Sequence, residues 1–335
     1  MQASNGIYRV SGIDFVDPGL AEAIDSGLKR VEDLLHAEVQ SGFEFVTETS
    51  LHLISAGGKR FRPLFTLLSA QIGPRGDSPD VVTAAAAVEL VHLATLYHDD
   101  VMDSATMRRG AQSANVRWDN SVAILTGDYL FAHASRLVAD LGPDAVRVIA
   151  ETFAALVTGQ MRETRGPGSG DDAVEHYLAV VAEKTGSLIA TAGRYGGTFS
   201  GCPPEQVAAL HRFGEIIGTA FQVSDDVIDI ASPEESSGKT PGTDLREGVA
   251  TLPMLYALRE PGADRLRELL AAPITEDALV DEALDLLRTG KGLDQARETL
   301  AEQAAAARTE LETLPACPAR DALASLTHYV VDRTG

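Results

Sequence analysis

From Val81 to Leu96 the chain runs mostly through Ala, Val and Leu, with Glu89 and His92 as its charged or titratable interruptions, and Asp99-Asp100-Val101-Met102-Asp103 follows. Ser78-Pro79 supplies a start signal, because proline suits a first helical turn. One helix is therefore expected from there to about Asp103. The run is too short and too polar to be read as a bilayer span, which leaves the interior of a helical protein as its place.

The remaining sequence agrees. Aromatics make up 5% of the chain, so little of it reads as strand. Apolar residues recur instead at helical spacing, as at Leu20, Ile24, Leu28, Val31, Leu34 and Leu35. Helices are expected near 18–40, 44–55 and 61–72, and again near 119–140, 144–165, 172–200 and 204–230. Residues 292–313 read as a surface helix, and 1–17 as a loose N-terminal segment. Gly57-Gly58 reads as a helix stop, and Gly166-Pro167-Gly168-Ser169-Gly170 as a loop. Residues 231–250 are expected to be irregular, a length at which loops are often functional. No internal repeat is found. The expected architecture is all-α: a large orthogonal helical bundle around a central substrate cavity, built as a single domain over residues 1–335.

The formal net charge of −21 argues against a nucleic-acid partner. It also gives the few basic residues weight, since an anionic ligand would need them gathered at one place. Cys202 and Cys317 are the two cysteines and form no CxxC pair, so neither a disulfide framework nor a thiolate zinc site is expected, and a cytoplasmic location fits. Asp14 and Asp17 stand where a secretory signal would carry basic and apolar residues, and no membrane anchor is expected.

A second acidic cluster, Asp225-Asp226-Val227-Ile228-Asp229, ends another apolar helix. In each cluster the first and last Asp lie one turn apart on one face, with Cβ atoms roughly 5–6 Å from each other. Three carboxylates at the negative end of a helix dipole are electrostatically poor. A bound Mg²⁺, which takes oxygen ligands, would relieve them. One such cluster is as readily a solvated helix end; two, each closing an apolar helix, are hard to explain that way. Arg108-Arg109 follows the first cluster, and Lys59, Arg60 and Arg62 lie in Gly57-Gly58-Lys59-Arg60-Phe61-Arg62-Pro63, while Lys184 and Lys239 stand apart. Any one of these is by itself a surface solubiliser. A basic pair beside a carboxylate triad instead implies a shared polyanion, for which Arg offers paired donors.

Over roughly residues 50–255 the chain resembles the trans-isoprenyl diphosphate synthases. The resemblance rests on Gly57–Pro63, on Asp99-Asp100-Val101-Met102-Asp103-Ser104-Ala105-Thr106-Met107-Arg108-Arg109-Gly110, on Phe221-Gln222-Val223-Ser224 before the second cluster, and on Gly238-Lys239, Asp244-Leu245 and Thr251-Leu252-Pro253. It implies Mg²⁺ bound by Asp99, Asp103 and Asp225, with Asp100, Asp226 and Asp229 in support. It places Arg108, Lys184, Gln222 and Lys239 on the allylic diphosphate, with Thr185 beside Lys184. It places Lys59, Arg62, His92 and Arg109 on isopentenyl diphosphate, and it implies a homodimer. His92 alone would be read as a satisfied core histidine. Two departures stand out. Val249 occupies a position where the family often has Lys, and Gln160-Met161-Arg162-Glu163 carries Glu where many members have Asp.

The chemistry follows from these groups. Cations steady the leaving diphosphate, the double bond of isopentenyl diphosphate attacks the allylic carbon, and a proton is lost to the released diphosphate. Tyr97 or Phe221 could face the carbocation, although either is more simply core packing. Residues 231–250 read as an acidic lid. Ahead of Asp99 the helix presents Thr95, Ala94, Val91 and Val88 along one side over about 16 Å. None is aromatic, which leaves open the floor that bulky residues form in short-chain members. A long product, C30 or longer, is expected, with Phe131 as a deeper floor and transient membrane contact for product release. A farnesyl or geranylgeranyl synthase and a class I terpene cyclase are disfavoured, respectively by Ala94 with Thr95 and by the isopentenyl anchor. A non-catalytic partner subunit would be expected to lose metal ligands. A di-metal carboxylate bundle needs a second Glu-x-x-His pair to match Glu89 and His92.

Overall fold

The computed structural model describes residues 2–4, 7–11, 13–231 and 241–332. Helices dominate: α1 (Pro18–Glu38), α2 (Glu44–Ser55), α3 (Phe61–Ala70), α4 (Pro79–Met102), α5 (Ala114–Arg117), α6 (Asn120–Asp140), α7 (Pro143–Arg165), α8 (Ala173–Val181), α9 (Ser187–Ser200) and α10 (Pro204–Ala231). Shorter and longer helices follow at Thr243–Glu247, Leu252–Ala257, Asp264–Leu269, Asp277–Thr289, Gly292–Glu312 and Pro318–Asp332. The all-α expectation holds.

The chain divides into two compact units. One comprises Met1–Ala154, Leu188–Gly214 and Leu311–Leu323; the other comprises Ala155–Ser187, Glu215–Glu310 and Ala324–Gly335. The long helices α7 and α10 contribute residues to both.

In the first unit α4 is the axis. It packs chiefly on α6 and also on α3 and α1. Ser78 caps it through a hydrogen bond from the Asp80 amide, with Pro79 in the first turn. Its length and composition would suffice to cross a bilayer, contrary to the reading from Val81–Leu96 alone, but 78% of its most apolar stretch is buried inside the protein. Gly127 sets the distance between α4 and α6: a Cβ there would lie 2.3 Å from His98 Nε2 and 3.0 Å from the Ala94 carbonyl.

Four sequence expectations change. Residues 1–17 are not wholly loose: β1 (Gln2–Ser4), β2 (Ile7–Val10) and β3 (Ile13–Phe15) pair antiparallel, and Val10 and Phe15 are buried. Short strands of three or four residues give too little alternation to detect. The helix expected over 172–200 is interrupted by a π-helical turn, Ala182–Gly186. Part of the irregular stretch is helical, at Thr243–Glu247, flanked by Gly242 and Gly248 in the left-handed conformation. The helix Gly292–Glu312 is not merely a surface element, since Leu293, Ala296, Leu300, Ala304 and Ala307 are buried.

Candidate active site

In the first unit, two tight turns bring the basic residues of separate segments to α4. Gly57 and Gly58 take φ of 82° and 141°, and Arg60 enters α3 at φ 48°. The second turn is a hairpin between β4 (Met107–Arg108) and β5 (Ala111–Gln112), which the sequence reading did not anticipate. Its two central residues, Arg109 and Gly110, both have positive φ, as a two-residue turn joining twisted strands requires. An arginine is strained there. Its guanidinium offsets the strain by donating from Nη1 to the carbonyls of Gly57 (2.6 Å) and Leu53 (3.2 Å).

These turns surround Glu89, whose side chain is 2% exposed. Arg60 reaches it at 3.1 Å and Arg109 at 3.7 Å. Arg60 is otherwise spent on structure: Glu32 takes two of its donors at 2.9 Å and the Ile54 carbonyl one at 2.8 Å. Arg62 differs, because its Nε is buried without a hydrogen-bond partner. Burial lowers its guanidinium to about 10, with Glu89 opposing and Arg109 adding to the fall. Burial, Arg62, Arg109 and Arg108 together hold the His92 imidazole well below its usual range, so it is neutral. Arg60, Arg62 and Arg109 thus outnumber the acids Glu32 and Glu89, and His92 lies within the field of these arginines. Lys59 is exposed beside this cluster. From the sequence Glu89 enters only as half of a Glu-x-x-His pair in the disfavoured di-metal reading, and not as the acid of this cluster. A lone acid inside an apolar run, one turn before His92, was the signal that could have found it.

The first acidic cluster divides by burial. Asp99 is half-buried and Asp103 exposed, whereas Asp100 is fully buried. Asp100 Oδ1 accepts from Arg108 Nε at 2.7 Å, and its Oδ2 has no partner. Burial raises this carboxyl against the pull of Arg108. Asp100 therefore holds Arg108, and Asp99 and Asp103 present the accessible oxygens. Tyr97 is a core residue and not a cation-facing one: it is fully buried, donates to the Thr49 carbonyl at 2.5 Å and accepts from the Leu53 amide at 3.2 Å. Val88, Val91, Ala94 and Thr95 are all buried. Phe131 on α6 stacks on Phe153 of α7, with ring centroids 4.1 Å apart.

In the second unit a cavity of about 420 Å³ is lined by Lys184, Thr185, Gln222, Asp226, Tyr177, His176 and Thr251, among others. The π-helical turn carries Lys184 and Thr185, a kind of irregularity frequent at functional sites. Gly159 makes room for it, since a Cβ there would lie 2.7 Å from the Lys184 amide. Glu163 binds Lys184 Nζ, so the residue that departs from the family pattern reaches the lysine. Val249, in place of Lys, also lines this cavity.

The second acidic cluster divides as the first does. Asp225 and Asp229 are half-buried, while Asp226 is 3% exposed. Asp226 accepts from the Tyr177 hydroxyl, from Gln222 Nε2 at 3.2 Å and from the Leu252 amide at 3.5 Å, and burial raises it to about 7. Asp229 accepts from the Thr243 and Asp244 amides at 3.1 and 3.2 Å and so steadies the start of Thr243–Glu247. Gly238 and Lys239 lie outside the described residues, as does the 232–240 part of the expected lid.

The family model described as polyprenyl synthetase matches residues 43–287. The chain is 60% identical over 328 residues to a nonaprenyl diphosphate synthase of Mycobacterium tuberculosis, covering 97% of this chain and 98% of that protein. It is 48% identical over 324 residues to a dimethylallyltranstransferase of the same organism, covering 96% and 98%. Among solved structures, geranylgeranyl pyrophosphate synthase from Corynebacterium glutamicum, complexed with calcium and isoprenyl diphosphate, matches with a TM-score of 0.87 at 49% identity, covering 96% of this chain and all of that one. The chain belongs to the polyprenyl synthetase family, whose members are prenyl-transferring enzymes.

Proposed function

We propose that the protein condenses isopentenyl diphosphate with an allylic diphosphate, repeatedly and with Mg²⁺, to a trans polyprenyl diphosphate of C30 or longer. The observation that carries this reading is the buried cationic cluster. Arg62 with an unpartnered Nε, Arg109 and Arg60 act on the buried Glu89, and His92 is held neutral among these arginines. Excess buried positive charge is costly unless an anion completes it, and a diphosphate offers the oxygens to do so. Lys59, Arg62, His92 and Arg109 would hold isopentenyl diphosphate. Lys184, Thr185 and Gln222, which line one cavity, would hold the allylic diphosphate, a role for which Arg108 on the first unit is a further donor.

Mg²⁺ takes oxygen ligands and completes its shell with phosphate oxygens and water. Asp99 with Asp103 in one unit, and Asp225 with Asp229 in the other, are the oxygen donors that would hold it; their hard carboxylate oxygens fit this ion. Bound there, it would offset charge on the departing diphosphate. The protein's own part is to fix both diphosphates by Arg, Lys and Gln donors so that the alkene meets the allylic carbon as its C–O bond breaks, and to leave the lost proton to the released diphosphate.

The length assignment is supported by the aliphatic and small side chains Val88, Val91, Ala94 and Thr95 ahead of Asp99, and by the likeness to a nonaprenyl synthase. A short-chain product is the competing reading, favoured by the dimethylallyltranstransferase and geranylgeranyl synthase likenesses. We further propose a cytoplasmic homodimer in which the whole chain acts as one synthase domain. Exposed Ile124 and Leu125 on α6, with Val116 nearby in sequence, support a second copy as partner. The test is incubation of purified protein with Mg²⁺, labelled isopentenyl diphosphate and farnesyl or geranylgeranyl diphosphate, followed by product sizing. A ladder to C30 or beyond supports the reading, products ending at C15 or C20 refute the length, and no incorporation with any primer refutes the activity.

A further inference from the structure

We propose that the Tyr177 hydroxyl is a positioning group for the allylic diphosphate site, acting through Asp226 on Gln222 and on the turn at Thr251–Leu252. The inference rests on the reading of the Lys184 cavity given above. Tyr177 lies on α8, seven residues ahead of Lys184, and lines the same cavity as Lys184, Thr185, Gln222 and Thr251. Its hydroxyl donates to Asp226 Oδ2. The Leu252 amide donates to that same oxygen at 3.5 Å, and Gln222 Nε2 donates to Oδ1 at 3.2 Å. One buried carboxyl thus joins three separate segments: α8, the preceding turn of α10 and the start of Leu252–Ala257.

Two physical points give this arrangement a function. First, a carboxyl and a phenol buried together cost more than an apolar pair of the same shape. Packing alone does not call for them in a cavity wall. Second, the contact orients Gln222. A carboxyl surrounded by three donors is an acceptor, so the amide of Gln222 must turn an N–H towards Asp226. Its second N–H is left for an anion in the cavity. Without Tyr177, Asp226 keeps only the two longer contacts, and Gln222 is free to rotate away. Burial and the neighbouring acids push the phenol well above its usual range, so it remains a donor throughout the working pH range.

The test is steady-state kinetics of the full chain with each substrate varied in turn. The parent protein must first elongate the primer; if it does not, the proposed function fails and not this inference. With an active parent, Tyr177→Phe keeps the ring and removes the hydroxyl. KM for the allylic diphosphate should rise about fivefold, the effect of one lost hydrogen bond, while KM for isopentenyl diphosphate stays within about twofold. Asp226→Asn should raise the same KM, and the double variant should be little worse than either single one, because both break one chain of contacts. An unchanged allylic KM in Tyr177→Phe, equal rises in both KM values, or additive effects in the double variant would overturn the inference. Should Tyr177→Phe fail to fold, Asp226→Asn decides alone, and an unchanged allylic KM there overturns it.

Discussion

Gly58 offers a direct test of how the isopentenyl site is built. At φ 141° it holds a conformation open only to glycine, and a Cβ there would lie 2.9 Å from Cζ of Arg109. Gly58→Ala therefore has two effects. The backbone strain costs roughly 1–3 kcal/mol. The methyl group also drives the guanidinium from its acceptors, the carbonyls of Gly57 and Leu53. One charged hydrogen bond lost is about 1.5–3 kcal/mol, roughly ten- to a hundredfold in affinity. Gly57→Ala is the matched control. It is strained at φ 82°, but its Cβ meets nothing within 4 Å. Both variants should lose thermal stability. Only Gly58→Ala should raise KM for isopentenyl diphosphate by that factor, and KM for the allylic substrate should hardly move in either. Equal isopentenyl KM values in two folded variants would refute the assignment of Arg109 to this site.

Ala94→Phe fills the side of α4 ahead of Asp99 and should shorten the product; an unchanged length on product sizing would end the open-floor reading. Glu163→Gln removes the carboxylate that holds Lys184 Nζ and should raise KM for the allylic diphosphate severalfold without affecting isopentenyl binding. Gly127→Ala forces α6 away from the Ala94 carbonyl and should cost about 1–3 kcal/mol, read as a lower Tm. His92 is held neutral in the folded chain, so below about pH 6.5 the unfolded chain takes up a proton that the folded one does not. Stability should accordingly fall with pH there, by at most about 1.4 kcal/mol per unit. Denaturant titrations of His92→Gln should lack that part of the slope.

Much of the fold was legible because the relevant signals are local. Helical periodicity and the Ser78-Pro79 start located α4 to within a residue or two, and the acidic triplets at the ends of α4 and α10 marked the chemistry. Less legible were features that depend on pairing. The β4–β5 hairpin is two residues a side and is made by the positive φ of Arg109 and Gly110, a conformation that arginine does not advertise. The π-helical turn at Ala182–Gly186 needs the space left by Gly159, a residue on another helix. Tyr97 reads equally well as a cation-facing ring or a core residue until its hydroxyl is seen to tie α2 to α4.

The sequence by itself determined the class of fold, the family and the residue types at the site, since periodicity, composition and contiguous motifs are written along the chain. Only the tertiary structure assigned their duties. Within each Asp pair it turned the second carboxyl inward, Asp100 to Arg108 and Asp226 to Tyr177 and Gln222, and left Asp99, Asp103, Asp225 and Asp229 more accessible. It set Arg60 to structural work while Arg62, two residues on, kept an unpartnered nitrogen. Neighbours in sequence that carry the same charge are indistinguishable on paper. Burial and the partners brought in from distant segments decide which of them bind ligand and which hold the others in place.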